Sequence, residues 1–127
     1  MKVADLKGAA LDYWVSRAEG VTTIIAVRQN TGDKHPSCIE VDYKGSRITW
    51  YHPSDDWRMG GALISRLPFG IFERDYQTGL WSAGIYTDTS VAKPVCDSYQ
   101  TGPTLLIAAM RAYVASKYGE EVPDESK

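Results

Sequence analysis

Apolar residues recur with a helical spacing near the start of the chain. Four of them lie at i, i+3, i+4 and i+7, as on one face of a helix: Leu11, Trp14, Val15 and Ala18. This spacing predicts an amphipathic helix from about Leu6 to Ala18. Asp5 is its expected N-cap, and Gly20 is its expected end.

A second helix is predicted near the end of the chain. It should begin near Pro103, a residue type common in a first helical turn, and end at Gly119. Its apolar residues cover a broad face: Leu106, Ile107, Met110, Tyr113, Val114 and Tyr118. Arg111 lies beside a face of small residues: Ala108, Ala112 and Ala115. That face permits close packing within the fold or between two subunits.

The segment between the helices has the pattern of β-strands. Residues 21–29, "VTTIIAVRQ", are rich in β-branched side chains, and polar and apolar residues alternate in 38–44, "CIEVDYK". Gly45 and Ser46 then favour a turn into 47–52, "RITWYH", which predicts a hairpin.

A second hairpin is predicted from residues 70–76, "GIFERDY", and 80–86, "LWSAGIY", joined by 77–79, "QTG". Pro94 argues against a central strand in the segment that follows. Strands between terminal helices indicate an α+β fold, with a mainly antiparallel sheet and the N- and C-terminal helices packed on one face.

Composition limits the classes of function. A chain of 127 residues that is 43% hydrophobic and 24% charged is expected to form a single domain, here 1–119. Residues 120–127, "EEVPDESK", are expected to be an acidic, solvated tail. The net charge of −2 does not favour general nucleic-acid binding. Without a signal-like or membrane-spanning apolar run, we expect a cytoplasmic protein that does not bind membranes.

The stretch "YHPSDDWRMGGALISR", residues 51–66, is the most informative loop. If a short helix begins after Gly60 and Gly61 and ends at Pro68, its exposed N–H groups suit an anion, and Trp57 can stack on a planar ligand. Alternatively, Asp55 or Asp56 caps the helix and Trp57 packs beneath the loop.

The remaining aromatic and cationic residues leave similar alternatives open. Trp14 and Trp50 lie on apolar phases and are expected in the core. Trp81 suits packing at a strand edge or a pocket wall. Arg111 can point to solvent, pair with a carboxylate or reach an anionic ligand.

Catalytic and metal-binding motifs are weak. His35 and Cys38 have a possible metal-ligand spacing, but nothing places His52 and Cys96 with them, so both cysteines are expected to be free thiols. His52 with Asp55 and Asp56 can be read as a cation site or a hydrolase centre, although capping and solvation explain the aspartates better. We therefore expect no catalytic residues, no metal and no cofactor.

Three segments resemble one family: "DLKGAALDYWVSRAEG", "HPSDDWRMGG" and "GPTLLIAAMRAYVASKYGEEVPDE". They are similar to the NinX family of small tailed-phage and prophage proteins, also described as a domain of unknown function. Its patterns fall here on Leu6, Gly8, Ala10, Leu11, Asp12, Val15, Pro53, Ser54, Trp57, Gly60, Gly61, Gly102, Pro103, Thr104, Ala108, Ala109, Met110, Arg111, Tyr113 and Lys117. The chain departs from them at Ala62 and Leu105. The resemblance implies a phage accessory gene and implies no activity.

Three functions remain. The first is a non-enzymatic binder that sequesters a small anionic or nucleotide-like host metabolite or signal, with an anti-defence role. Its expected site residues are Ser54, Asp55, Trp57, Arg58, Gly60, Gly61, Arg66, Trp81, Thr104 and Arg111. The second is a protein-interaction module that binds a host or phage replication, recombination or defence protein through the same loop. The third, a hydrolase, is the least supported. A homo-oligomer is expected in each case.

Overall fold

The computed structural model describes residues 1–29, 31–32, 34–67, 70–88 and 95–123. A short 3-10 helix, Val3–Asp5, precedes α1, Gly8–Glu19. Three strands follow: β1, Thr23–Val27; β2, Pro36–Val41; and β3, Arg47–Trp50. After α2, Trp57–Ser65, come β4, Gly70–Arg74; β5, Trp81–Asp88; β6, Val95–Gly102; and finally α3, Leu105–Tyr118. None of the described helices is long and apolar enough to cross a membrane.

The strands form two antiparallel sheets of three strands each, in the orders β1-β2-β3 and β4-β5-β6. Both predicted hairpins are confirmed. The α+β class is also confirmed, but the strands divide into two sheets, each with a helix: α1 packs on β1 and β2, and α3 packs on β5 and β6. The segment that follows Pro94 forms β6, which lies at the edge of the second sheet and is not a central strand. Pro94 itself lies outside the described residues.

The first helix buries the predicted apolar stripe and ends at Gly20, which has a positive φ of 74°. Its predicted start is wrong. Asp5 belongs to the 3-10 turn and does not cap α1, whose N-cap residue is Lys7. The chain before α1 is held instead by a bond from the Val3 N–H to the Glu120 carbonyl.

The first residues of the predicted acidic tail contact the N-terminus of the chain. The N-terminal ammonium of Met1 donates to the Val122 carbonyl, and Lys2 forms a β-bridge with Glu121. Val122 is only 3% exposed and belongs to the hydrophobic core. Residues 120–122 are therefore part of the fold, because an apolar side chain within the acidic segment has a place in the core.

The third helix begins at Leu105, where the Thr104 side chain accepts a hydrogen bond from the Ile107 N–H at 3.1 Å. Its face of small residues is buried along with Leu106, Met110, Tyr113 and Val114, whereas Tyr118 is 40% exposed. The α3 backbone also lies close to Gly102, because a Cβ on Gly102 would be only 2.8 Å from the backbone nitrogen of Ala108. The predicted close packing is therefore used within the fold, between α3 and the end of β6.

The second helix begins earlier than predicted. It starts at Trp57, so Gly60 and Gly61 lie inside it, and the expected helix start behind the two glycines is wrong. The alternative is confirmed for Asp56, which caps α2 by accepting the Arg58 N–H at 2.8 Å. Pro68, the predicted end of this helix, lies outside the described residues, and α2 ends at Ser65.

The two glycines of α2 have different surroundings, which yields a matched test. A Cβ on Gly60 would lie 2.3 Å from the Pro53 carbonyl oxygen and 2.7 Å from Leu106, whereas a Cβ on Gly61 would meet only the Trp57 indole, at 3.3 Å. We expect Gly60→Ala to lower the free energy of unfolding by about 1–3 kcal/mol through overpacking. Gly61→Ala should be neutral or stabilising by up to about 1 kcal/mol, because alanine favours a helix. Urea unfolding of both variants measures this, and equal losses would contradict it.

Candidate functional site

The loop between β3 and α2 is hydrogen-bonded to a buried carboxyl group of α1. Asp12, on α1, is 4% exposed and accepts the Ser54 backbone N–H at 2.9 Å. Ser54 and Pro53 are buried as well. Because an unpaired buried N–H is costly, this bond determines how the loop leaves the first sheet.

Burial changes the acidity of this carboxyl. Loss of solvent is the largest effect and raises the pKa of Asp12 to about 7, although hydrogen bonds from the side chain and backbone of Ser54 act in the opposite direction. Burial also raises the pKa of the nearby Cys38 thiol to about 12. Cys38 is a buried free thiol, as predicted, while the Cys96 side chain lies outside the described part of the chain.

His52 lies between the two aspartates of the loop. Its Nδ1 is 2.6 Å from Asp55 Oδ1, and its Nε2 is 3.4 Å from Asp56 Oδ2. Both ring nitrogens therefore lie near carboxylates of the same loop. This geometry brings together the residues that the sequence offered as a hydrolase centre or a cation site. Among the described residues, no group of three His, Cys, Asp or Glu side chains is arranged to hold a metal ion.

The His52 ring is also stacked on Trp50, with ring centres 3.5 Å apart and planes inclined by 5°. The guanidinium carbon of Arg28 lies 3.7 Å from the centre of the Trp50 ring. Two groups this close to one ring cannot share a face, so Arg28 and His52 lie on opposite sides of the indole. Trp50 is thus half-buried within a stack and is not the fully buried core residue that was predicted.

This stack lies on the face of the first sheet opposite α1. Cys38 faces α1, where its thiol lies near Ser16 and Thr23, so the next residue, Ile39, faces the other side. On that side Arg47 Nη1 donates to the Val27 carbonyl at 2.9 Å, although β2 lies between β1 and β3. The two outer strands therefore approach each other across the face, and the sheet curls around Ile39.

The curled face contains a groove of about 300 Å³. Its lining combines two arginines with apolar and neutral polar side chains: Arg28, Gln29, Thr31, Ile39, Arg47, Ile48, Thr49 and Trp50. Ile39 is buried, whereas Ile48 is 58% exposed. Charge and apolar surface thus meet in one shallow groove, a combination that small-molecule sites also use.

Several of the predicted site residues have structural contacts. Ser54 bonds to Asp12, Gly60 packs against Pro53, and Thr104 caps α3. Arg111 donates to two backbone carbonyls, from Nε to Leu6 at 2.8 Å and from Nη1 to Thr101 at 2.7 Å. Burial lowers the pKa of Arg111. Its two bonds to carbonyls connect the N-terminal segment and the end of β6 through α3.

Trp57 and Arg58 lie at the surface. The Trp57 side chain is 60% exposed, so the alternative that it packs beneath the loop is wrong. Gly61 lies next to its indole, the Arg58 side chain is 91% exposed, and Asp55 is exposed beside His52. The start of α2 therefore exposes one large aromatic side chain, Trp57, next to the exposed Arg58.

Arg66 and Trp81 lie elsewhere. Arg66, at the end of α2, forms an ion pair with Glu19, which also accepts the Tyr113 hydroxyl at 2.5 Å. Burial alone would raise the pKa of Glu19, but the bonds from Tyr113 and Arg66 outweigh it and hold that pKa below its usual range. Trp81 begins β5 and packs against the core. The ten predicted residues therefore take part in several different sets of contacts, and none of them lines the groove.

Sequence reasoning missed the residues that line the groove. A signal was present, because Ile48, Trp50 and His52 alternate along one strand and so share a face. No sequence pattern indicated that Arg28 and Arg47 lie on that face, because their position there depends on the curl of the sheet.

The buried carboxyl of Asp12 has a measurable consequence for stability. Its pKa of about 7 lies above the unfolded value of 3.8, so the folded protein keeps a proton that the unfolded chain releases. This contribution is complete below pH 4 and is lost as the pH rises to 7, a difference of about 4 kcal/mol. We expect Asp12→Asn to remove most of that decline between pH 5 and 8 in urea unfolding.

A matched control is available at the surface. Hydrogen bonds from Gln77 and Thr78 lower the pKa of Asp75, so this residue is ionised in both states above pH 5. Asp75→Asn should therefore leave the pH dependence unchanged. If Asp12→Asn has the same pH dependence as the wild type, Asp12 does not hold the extra proton.

Comparison with known proteins gives one clear result. The model of a family described as bacteriophage P22 NinX matches residues 2–117, which is most of the chain. No curated protein matches significantly. The match includes α1, the loop with Ser54, and nearly all of α3. The chain therefore belongs to the NinX family of bacteriophage proteins.

Proposed function

We propose that this phage accessory protein is a non-enzymatic binder of a small anionic ligand, and that the groove on the first sheet is its site. The supporting observation is the combination of Arg47 and Arg28 with Trp50 and the exposed Ile48 in one groove. Apolar surface supplies binding energy, while the guanidinium groups select for negative charge.

The proposed site differs from the one expected from sequence. Gly60 and Gly61 lie inside α2, so they do not begin a helix with free N–H groups for an anion. The groove retains the expected ligand chemistry, an aromatic side chain beside cations, at residues 28, 29, 31 and 47–50. Sequestration of a host metabolite or signal, with an anti-defence role in the cytoplasm, is the activity that suits such a binder.

The test measures what the purified protein carries. We expect native mass spectrometry of protein from phage-infected host cells to show a small acidic molecule that is released on denaturation. Arg47→Gln should reduce its occupancy by about tenfold or more, since a hydrogen bond to a charged group contributes roughly 1.5–3 kcal/mol. Arg74→Gln, at an exposed position on β4, is the matched control and should retain the ligand.

The same spectra give the native mass, so they also test the expected homo-oligomer. Wild-type protein without any bound anion, in cells where the phage is active, would contradict the proposal.

A second function is favoured by the exposed indole of Trp57. A large aromatic side chain that is 60% exposed at the start of a helix is typical of the central residue of a protein interface. The partner would be a host or phage protein of replication, recombination or defence.

Trp57→Ala distinguishes this function from a structural role. We expect the free energy of unfolding to change by less than about 1 kcal/mol, because the side chain is mostly exposed. A partner captured from infected cells should be lost with Trp57→Ala. It should be retained with Tyr76→Ala, which also removes an exposed aromatic side chain, here one that is 95% exposed. Unfolding of Trp57→Ala, or capture unaffected by it, would contradict this function.

A further inference from the structure

We infer that the ligand of the groove is a nucleoside monophosphate, an inference that rests on the proposed function and specifies its ligand. The groove contains three neighbouring features that together match a phosphate, a planar base and the polar edge of that base. Each feature is carried by different residues of the first sheet.

The phosphate is matched by Arg47. Its side chain is exposed at the groove and is oriented by the bond from Nη1 to the Val27 carbonyl. A guanidinium has five N–H donors in a planar fork, so one bond to the backbone leaves donors for phosphate oxygens. No acidic side chain is among the described residues that line the groove, so an anion there meets no opposing charge from them.

The planar base is matched by the stack on β3. His52 and Arg28 occupy the two faces of Trp50, so the base is expected to stack on the Arg28 guanidinium, beside the 58% exposed side chain of Ile48. Bases stack on arginine guanidinium planes as well as on aromatic side chains. A small inorganic anion would use Arg47 but leave this surface unoccupied.

The polar edge of the base is matched by neutral side chains. Gln29 and Thr49 line the same groove and carry both donors and acceptors. The volume of about 300 Å³ lies at the lower limit of the roughly 300–1,000 Å³ of small-molecule sites, which suits one nucleotide better than two.

The experiment is a titration of the full-length protein with the four ribonucleoside 5′-monophosphates, the corresponding nucleosides and inorganic phosphate. Isothermal calorimetry gives the affinities, and amide chemical shifts locate the site. We expect at least one monophosphate to bind about tenfold or more tightly than its nucleoside and inorganic phosphate. The shifts should lie in β1, β3 and the residues that line the groove.

Two variants and a control test the site. Arg47→Gln and Ile48→Asp should each weaken nucleotide binding by about tenfold or more, while Arg74→Gln should leave it unchanged. Ile48 is 58% exposed, so its replacement does not remove a core side chain, and circular dichroism checks that every variant is folded.

The outcomes separate this inference from the proposed function. If inorganic phosphate binds as tightly as every nucleotide, or if the protein carries a different anion and binds none of the nucleotides, the inference is wrong and the anion-binding function stands. If no anion binds and none is carried from cells, both are wrong.

Discussion

The hydrogen bond from the Ser54 N–H to Asp12 is the interaction on which the rest of the structure depends. It joins α1 to the loop that leads from the first sheet into α2. Because both partners are buried, neither can exchange the bond for one to water without an energetic cost. The position of the loop then determines where α2 begins, and the end of α2 returns to α1 through the ion pair between Arg66 and Glu19.

The same loop also contacts a residue that lines the groove. His52 is held by Asp55 and Asp56 and stacks on Trp50, whose other face is covered by Arg28. A chain of contacts thus runs from the buried carboxylate in α1 to the guanidinium in the groove. The expected result is a site whose side chains are oriented before a ligand arrives, which reduces the entropy lost on binding.

Many residues of the family patterns have structural roles in this protein. Asp12 and Ser54 bond to each other, and Gly60 allows α2 to approach the Pro53 backbone. Gly102 allows the same approach between β6 and α3. These residues therefore help to join the helices to the loop and to the second sheet. The residues that line the groove belong to none of the three segments that carry the resemblance, although the family match spans them.

The sequence by itself determined the elements that depend on neighbouring residues. The helix that ends at Gly20, the hairpin of β2 and β3, and a helix cap at one of the two aspartates of the loop follow from local spacing and turn chemistry. Only the tertiary structure decided what depends on residues far apart in the chain. It separated the strands into two sheets, placed Val122 in the core, and directed Trp57 outward. It also brought Arg47 to Val27, because the curl of a sheet results from its twist and packing as a whole and has no local sequence pattern.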